Sequence, residues 1–381
     1  MIPSLPLLTL LTLISVFLLY WIWRRRTALL TLKSLSKLDE CKPSKNLSVI
    51  VPVRNGEEII SSCIESILSQ KEADFEVIVV DDSSDDSTLE LIKRYESSNR
   101  LKIVKAGDTP EGWVGKNWAC YLGYLNSRGE LLVFMDSDTL LTKANALRDA
   151  VCILERNKVD VLSLYPIFRL KSLWEKIWIP FAANFIYLLA HPSIVNSRDN
   201  PRSFLMGAFT VFRREVYEKI GGHESIKGIL AEDKVLGERV KAHGYRFLLA
   251  YGGDMATSRW GGGLTESWNS LKRVIPFSAK NRTGPIAASL TIASLFILPP
   301  ITLITSIFLQ DIVSTVFSTI PMMLTIVLEA LELLRNHENP IYSIMYPAAA
   351  AFITLNLIYL SLLRDIEVTW RGRKYHVRAF S

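Results

Sequence analysis

Two carboxylates, Asp136 and Asp138, stand one residue apart directly after the apolar run Leu131 to Met135. A run of this kind is typical of a buried strand, so both acids are expected at a strand end. Carboxylates at this spacing can bind one divalent cation, and Mg²⁺ or Mn²⁺ bound in this way commonly shares its ligands with phosphate oxygens. The pair therefore predicts a site for Mg²⁺ or Mn²⁺ and a diphosphate, with a solvated turn as the alternative.

A second acidic pair, Asp81 and Asp82, follows the apolar run Phe75 to Val80. Two carboxylates after a strand can accept hydrogen bonds from the N–H edge of a base or from ribose hydroxyls. The alternative is an N-terminal cap for the next helix, a position that acidic side chains favour. Both roles are compatible with the sequence.

Glu232 and Asp233 open a helical pattern and follow a glycine-rich stretch, Gly221 to Gly228. A carboxylate placed there can take the proton from an attacking hydroxyl, which makes Asp233 a candidate general base. The competing interpretation is stabilisation of the helix N-terminus by negative charge.

A lysine near a predicted helix start offers a phosphate contact. Lys116 ends the sequence Gly112-Trp113-Val114-Gly115-Lys116, between a third strand and the next helix. Its ammonium and the backbone N–H groups of the helix start can bind a phosphate together. A solvated lysine is the alternative.

The acidic pairs and Lys116 can act on one ligand only if they lie at the same edge of one sheet. The hydrophobic pattern predicts a strand, helix, strand, helix, strand alternation, which forms a parallel sheet with right-handed crossovers. Ligands of such sheets bind beyond the carboxyl ends of the strands, so the acidic clusters are expected to converge. No GxGxxG follows the first strand, which argues against an ordinary dinucleotide fold. The predicted elements are strands Leu47–Val53, Phe75–Val80, Leu101–Val104 and Leu131–Met135 and helices Glu57–Gln70 and Lys116–Ser127.

Both ends of the 381-residue chain have the character of membrane segments. Leu5 to Trp23 carries no charge and is followed by three arginines, Arg24 to Arg26, which predicts an anchor with its basic flank in the cytoplasm. Three further apolar stretches lie near the C-terminus: Ile286–Leu309, Ile312–Leu334 and Tyr342–Leu363. The predicted domains are an anchor (1–30), a catalytic domain (45–280), C-terminal membrane helices (285–365) and a basic tail (366–381).

The number of crossings poses a topological problem. A cytoplasmic catalytic domain and a basic, cytoplasmic tail cannot be joined by three crossings. We expect one stretch to be re-entrant, with a helix break at Pro299-Pro300. The alternative places the tail outside.

The net charge of +6 does not indicate nucleic acid, because much of the excess lies beside membrane segments. Four cysteines without CxxC spacing are expected to be free, buried thiols in a reducing compartment. They are Cys41, Cys63, Cys120 and Cys152.

Five motifs, in this order, resemble family 2 glycosyltransferases of the GT-A fold. They are Val49-Ile-Val-Pro-Val-Arg-Asn, Val79-Val-Asp-Asp-Ser-Ser, Gly112-Trp-Val-Gly-Lys, Asp136-Ser-Asp and Ala231-Glu-Asp. The anchor and the tail sequence Thr369-Trp-Arg-Gly-Arg-Lys-Tyr are similar to the branch of ceramide glucosyltransferase and of hopanoid-associated and carotenoid glycosyltransferases. The resemblance implies an α/β, Rossmann-like, mostly parallel sheet with N-terminal and C-terminal transmembrane helices.

The resemblance also implies residue roles. It implies Asp136 and Asp138 at the metal and diphosphate, Asp138 most directly, and Asp233 as the base of an inverting transfer from a UDP- or GDP-sugar to a lipid. The residues expected to bind the nucleotide sugar are Pro52, Arg54, Glu57, Asp81, Asp82, Lys116 and Asp136. Those expected on the acceptor side are Glu232, Trp113, Arg259, Trp260 and Trp268.

One motif departs from the family pattern. Many relatives carry Gln-x-x-Arg-Trp, whereas Ala256 stands where the Gln would precede Arg259 and Trp260. This departure disfavours a processive polysaccharide synthase, which is the alternative function. A nucleotide-sugar binding membrane protein without catalysis is a third hypothesis, disfavoured because the acidic pair and the base are both present.

Overall fold

The computed structural model describes residues 4–36, 41, 45–260, 262–278, 281–363 and 365–378. These residues form two compact units. The sheet unit comprises Ala28–Arg169 and Ala190–Arg259, and the helical unit comprises Met1–Thr27, Leu170–Leu189 and Trp260–Ser381. Every predicted site residue except Trp260 and Trp268 belongs to the sheet unit.

The strands fall into three sheets, two in the sheet unit and a hairpin in the helical unit. In chain order they are β1 (Leu47–Val53), β2 (Phe75–Asp81), β3 (Leu101–Lys105), β4 (Leu131–Phe134), β5 (Leu140–Leu141), β6 (Val161–Tyr165), β7 (Ile167–Phe168), β8 (Thr210–Arg213), β9 (Phe247–Tyr251), β10 (Ala256–Ser258), β11 (Asp365–Trp370) and β12 (Arg373–Arg378).

The α-helices alternate with strands in the sheet unit and follow one another in the helical unit. They are α1 (Leu5–Leu35), α2 (Ile60–Leu68), α3 (Thr88–Lys93), α4 (Gly115–Leu125), α5 (Ala146–Arg156), α6 (Leu173–Leu189), α7 (Pro192–Val195), α8 (Arg214–Lys219), α9 (Glu232–Ala242), α10 (Leu264–Ser278), α11 (Thr283–Ile292), α12 (Leu298–Phe308), α13 (Ile312–Arg335) and α14 (Tyr346–Leu362).

The main sheet has seven strands in the order β3-β2-β1-β4-β8-β6-β9. Strands β1 to β4 are parallel, and β8 runs antiparallel to β4 and β6. Val53 pairs with Asp81 at the carboxyl ends of β1 and β2, and β4 ends two residues before Asp136. The predicted mostly parallel sheet is confirmed, and three of its carboxyl ends share one edge.

Helix α2 packs on the sheet through the apolar side chains that the sequence pattern predicted. Its predicted apolar stripe, spaced for a helix packed on a sheet, is buried. The buried side chains are Ile60, Cys63, Ile64 and Ile67. The helix begins at Ile60 rather than at the expected Glu57, and Asn55, with φ 48°, occupies a left-handed turn before it.

The prediction of four free thiols is wrong for two of them. Cys41 and Cys152 form a disulfide with their Cα atoms 6.0 Å apart, whereas Cys63 and Cys120 are free and buried. The partners are 111 residues apart in the chain, so their pairing depends on tertiary proximity, which local spacing does not reveal. This bridge is at odds with the expected reducing compartment.

Four helical segments in the described part of the chain are long and apolar enough to span a bilayer. They are Leu5–Leu35, Thr283–Phe308, Ile312–Arg335 and Pro340–Leu362. The predicted N-terminal and C-terminal membrane helices therefore agree with the structure. The expected break at Pro299-Pro300 is absent: α11 continues through a π-helical stretch, Ala293–Ile297, into α12. A π-helical turn accommodates prolines, which lack an N–H, without ending the helix.

Glu332 forms the centre of a buried polar cluster in the helical unit. Its carboxylate lies 2.9 Å from Arg25 and 2.7 Å from Arg335, and it accepts a hydrogen bond from Tyr187 at 3.0 Å. Buried charges are tolerated when they are paired and hydrogen-bonded, so this acid is compatible with an apolar helix. The cluster joins α1, α6 and α13.

Candidate active site

Lys116 lies at the centre of the acidic groups that the sequence singled out. Its Nζ is 2.7 Å from Oδ1 of Asp136 and 2.6 Å from Oε1 of Glu232. Burial opposes the charge of this lysine, but the two carboxylates outweigh it and raise the pKa of Lys116 well above its usual value. The ammonium therefore stays protonated and links the end of β4 to the start of α9.

Asp233 lies near Lys116 and Asp136, and the backbone of Gly207 comes close to all three side chains. A Cβ built on Gly207 would lie 3.2 Å from Asp136 Oδ2, 3.4 Å from Lys116 Nζ and 3.8 Å from Asp233 Oδ2. A side chain at this position would enter the site, so the glycine keeps the space between these groups free. The acids at 136 and 233 thus face one point of the sheet unit, although they are far apart in the chain.

The environment of Asp233 shifts its acidity toward neutral pH. Burial, and after it the negative charge of Glu232, raises the pKa of Asp233 to about 6, although Lys116 lowers it. Oδ1 accepts a hydrogen bond from the backbone N–H of Lys234 at 2.7 Å. A carboxylate with this pKa is ionised at pH 7 and is a stronger base than an ordinary aspartate.

The raised pKa predicts a pH-dependent gain in stability for Asp233→Asn. A folded-state pKa of about 6 lies above the unfolded value, so the folded protein binds the proton more tightly. The contribution of this proton to the stability of the wild type is complete below about pH 4 and is lost as pH rises through about 6. At pH 7.5 the variant should therefore be more stable than the wild type by about 2 kcal/mol, and at pH 4 the difference should vanish. Thermal unfolding at both pH values checks this, with Glu238→Gln on the same helix as control.

Asp136 and Asp138 point to different partners. Asp136 pairs with Lys116, whereas Oδ1 of Asp138 accepts a hydrogen bond from Ser258 at 3.2 Å and its backbone carbonyl accepts one from Arg169. Among the described residues, no group of three or more His, Cys, Asp or Glu side chains is arranged to hold a metal ion. The carboxylate oxygens suit Mg²⁺ or Mn²⁺, provided that water and a diphosphate supply the remaining ligands.

Arg54 and Glu57 hold the loop after β2, which carries Asp82. Nη1 of Arg54 donates to the backbone carbonyls of Asp82 at 2.7 Å and Ser83 at 2.5 Å. Glu57 accepts a hydrogen bond from the backbone N–H of Ser87 at 3.1 Å. Asp81 and Asp82 are both buried, at 5% exposure, and Oδ1 of Asp81 has no hydrogen-bond partner among the described residues. An unpaired acceptor of this kind is available to a ligand with N–H or O–H groups.

Asn117 fixes the loop that leads to Asp233, and sequence analysis did not single it out. Its buried side-chain amide donates to the backbone carbonyls of Ile226, Lys227 and Ile229, at 3.0, 3.2 and 2.8 Å. The predicted acceptor residue Trp113 packs on the outer side of α4, with its ring 5.1 Å from that of Trp118. The only sequence signal for Asn117 is its place directly after Lys116.

The remaining predicted acceptor residues lie in different parts of the chain. Arg259 ends the sheet unit, while Trp260 and Trp268 belong to the helical unit. Within that unit Trp260 packs against Trp178 with ring centroids 5.3 Å apart, and Trp268 packs against Phe352 at 5.5 Å. Their acceptor role stays a prediction.

A cavity of about 30 Å³ opens beside these charged groups within the sheet unit. Both polar and apolar side chains line it. The lining comprises Pro52, Lys116, Cys120, Phe134, Met135, Asp136, Leu205, Gly207, Thr210, Phe212, His223, Glu232, Asp233 and Leu236.

Residues 48–221 match the model of glycosyl transferase family 2, which supports a family 2 glycosyltransferase. The matched residues include β1, β2, β4 and the Asp136–Asp138 pair, so the family assignment and the geometry concern the same part of the chain.

Proteins of similar sequence include glycosyltransferases of staphylococci. This chain is 28% identical over 221 residues to the 4,4'-diaponeurosporenoate glycosyltransferase of Staphylococcus haemolyticus, a match covering 58% of this chain and 56% of that relative. The corresponding protein of Staphylococcus aureus is 27% identical over 196 residues, covering 51% and 50%. The chain thus matches only about half the length of these relatives.

A solved structure shares the fold. The mannosyltransferase PcManGT from Pyrobaculum calidifontis, in complex with GDP-Man and Mn²⁺, superposes with a TM-score of 0.50 at 18% identity, covering 93% of this chain and 99% of that one. The predicted GT-A fold with membrane helices is confirmed.

Proposed function

We propose that this chain is a membrane-bound inverting glycosyltransferase that moves a sugar from a nucleoside-diphosphate sugar to a lipid. The observation that carries the proposal is the convergence of Asp136, Glu232 and Asp233 around Lys116 and Gly207. Asp136 follows the carboxyl end of β4, where ligands of such sheets bind, and Asp233 is a base with a pKa of about 6. This combination suits displacement at an anomeric carbon.

On the donor side, the nucleotide lies against Asp81 and Asp82, and the unpaired Oδ1 of Asp81 accepts a hydrogen bond from it. Arg54 and Glu57 act by holding the loop of Asp82. Asp138, and Asp136 beside it, would hold Mg²⁺ or Mn²⁺ through carboxylate oxygens. When bound, the cation offsets the negative charge of the departing diphosphate. Support for a divalent cation comes from these hard oxygen ligands.

In the transfer step, Asp233 accepts the proton of the acceptor hydroxyl as its oxygen bonds to the anomeric carbon. The bond from that carbon to the diphosphate oxygen breaks, and the electron pair leaves with the nucleoside diphosphate. Attack opposite the leaving group inverts the anomeric configuration. Lys116 keeps Asp233 ionised and holds Glu232 in place through its short ion pair.

A lipid acceptor and a membrane location are supported by two observations. Four helical segments are long and apolar enough to span a bilayer, and the staphylococcal relatives are named for transfer to a carotenoid acid. The arginines that follow the N-terminal apolar run favour a cytoplasmic catalytic domain. The disulfide between Cys41 and Cys152 is the feature that argues against that side.

The proposal is tested by incubating purified protein with radiolabelled UDP- and GDP-sugars, Mn²⁺ or Mg²⁺ and a lipid extract of its native host. We expect label in one organic-soluble glycolipid. Label in a growing polysaccharide would instead support the synthase alternative, and binding of donor without product would support the non-catalytic one.

Asp138→Ala is predicted to weaken metal-dependent donor binding by about 10- to 100-fold, as expected for loss of a first carboxylate ligand. Titration of the nucleoside diphosphate with and without Mn²⁺ measures the effect. Asp254→Ala, an exposed acid in the same unit, serves as control. Unaltered metal dependence in Asp138→Ala would count against this cation site.

A further inference from the structure

His223 is a buried imidazole beside the proposed catalytic groups, and it has no role in the proposed transfer step. Its side chain is 2% exposed and lines the same cavity as Lys116 and Asp233. The ring packs against Phe134 with centroids 4.8 Å apart. It stands in the sequence Gly221-Gly222-His223, on the glycine-rich approach to Glu232.

The contacts of Tyr217 determine which nitrogen of His223 carries the proton. The Tyr217 hydroxyl accepts a hydrogen bond from the backbone N–H of His223 at 3.0 Å and lies 2.8 Å from Nδ1. No other acceptor for the phenol proton is found among the described residues, so this proton is donated to Nδ1. Nδ1 is then an acceptor, and the neutral imidazole carries its proton on Nε2.

Neutrality of both partners supports this arrangement. Burial, and then the charge of Lys116, lowers the pKa of His223 to about 3. Burial also raises the pKa of the Tyr217 phenol well above its usual value. Neither group changes its charge near pH 7.

Because Nδ1 is bound to Tyr217, Nε2 is the nitrogen that can donate to a ligand in the cavity that the imidazole lines. Within the described part of the chain, no protein group accepts a hydrogen bond from it. A donor that lines a cavity and has no protein acceptor is available to a ligand oxygen. The cavity of about 30 Å³ has room for an oxygen-sized group. Glu232 and Asp233, which line the same cavity, disfavour a negatively charged ligand there.

We propose that His223 binds a hydroxyl group of the reactants by donating its Nε2–H. The inference rests on the proposed glycosyl transfer and adds a specificity-determining contact to it. A hydroxyl fits because it accepts from Nε2 and can donate to a neighbouring carboxylate, as both sugars and hydroxylated lipids allow. A site of this kind rejects an analogue that lacks the hydroxyl, since its own donor would stay unpaired.

Three substitutions separate this role from a structural one. In His223→Gln the amide nitrogen can reach the place of Nε2, whereas in His223→Asn the amide can reach only the place of Nδ1 and its partner Tyr217. His223→Phe keeps the packing on Phe134 and removes both nitrogens. We expect kcat/KM to fall about 10- to 100-fold in the Asn and Phe variants and to stay within about threefold of the wild type in the Gln variant. Thermal unfolding of each variant checks that the fold is retained.

Deoxy-sugar donors and acceptor kinetics identify the source of the hydroxyl. If the hydroxyl belongs to the sugar, the wild type rejects one deoxy donor, whereas His223→Phe uses that deoxy donor as well as it uses the parent donor. If it belongs to the acceptor, His223→Asn raises the acceptor KM and leaves the donor KM unchanged. A fully active Asn variant with a poor Gln variant would overturn the proposal, as would three variants equal to the wild type.

A measurement without turnover separates this inference from the proposed function. Nitrogen NMR of protein labelled with ¹⁵N-histidine, with His223→Phe to assign the signal among five histidines, should show a protonated Nε2 and no titration between pH 5 and 8. A wild type inactive on every donor would remove the proposed function while leaving this signal intact. A proton on Nδ1 would overturn the inference even in an active enzyme.

Discussion

Asp233→Asn is expected to abolish sugar transfer, lowering kcat by about 10²- to 10⁴-fold, while donor binding stays nearly unchanged. The amide has nearly the shape of the carboxylate and can still accept the hydrogen bond from the N–H of Lys234. It cannot take a proton from the acceptor, however, so the loss falls on the chemical step. A loss of kcat without a loss of donor affinity is the pattern of a group that acts only in the transition state.

Initial rates with labelled donor, together with calorimetric titration of the nucleoside diphosphate, measure both quantities. Glu238→Gln removes an exposed carboxylate from the same helix and should behave as the wild type. Turnover retained in Asp233→Asn would remove this residue from the mechanism. A large loss of donor affinity would instead mark it as a binding residue.

Lys116→Met is expected to lower kcat/KM at pH 7 by about 10²-fold or more, since it removes a fixed charge from the reaction site. Without the ammonium, Asp136 and Glu232 lose their ion-pair partner. The positive charge that lowers the pKa of Asp233 also disappears, so that pKa rises above about 6. The acid limb of the pH–rate profile should therefore move to higher pH, and part of the activity should return under alkaline conditions.

The pH dependence of kcat/KM from pH 5 to 9 measures this shift. Lys234→Met offers a matched control, because its ammonium pairs with Glu238 at 3.4 Å on a more exposed surface. An acid limb that stays in place in Lys116→Met would show that the lysine does not set the charge state of Asp233. A loss of donor affinity alone would indicate that Lys116 acts only as the phosphate contact predicted from its place in the sequence.

The elements that a local pattern determines could be predicted from the sequence. Strands β1 to β4 and helix α2 follow from apolar runs and from the 3.6-residue stripe. They bring Asp81 and Asp136 to the same edge of the sheet, at the ends of the two strands that flank β1. The order of β8, β6 and β9 could not be derived, because antiparallel insertion of β8 depends on contacts distant in the chain.

Several site features needed the tertiary structure. The partners of Lys116 lie on β4 and α9, and no spacing rule links position 116 to position 232. Gly207 stands outside every motif, and its role depends only on how close its backbone comes to Asp136 and Lys116. His223 had a weak signal, a histidine after two glycines near the acidic pair, which becomes informative only once Tyr217 is seen to bind Nδ1.

The helical unit shows the same limit. The membrane helices could be predicted from length and apolar composition, but the partners of Glu332, a residue of α13, could not. Glu332 is tolerated because Arg25, which is 307 residues away, pairs with it. The continuous helix through Pro299 likewise depends on a π-helical stretch that residue propensities do not forecast.

The anomeric configuration of the product tests the account most directly. Wild-type protein in lipid bilayers would be given its preferred nucleotide sugar and lipid acceptor, and the purified glycolipid would be examined by proton NMR for the coupling of the anomeric hydrogen. The account predicts a configuration opposite to that of the donor, formed by the wild type and not by Asp233→Asn. A product that retains the donor configuration would contradict single displacement with Asp233 as base.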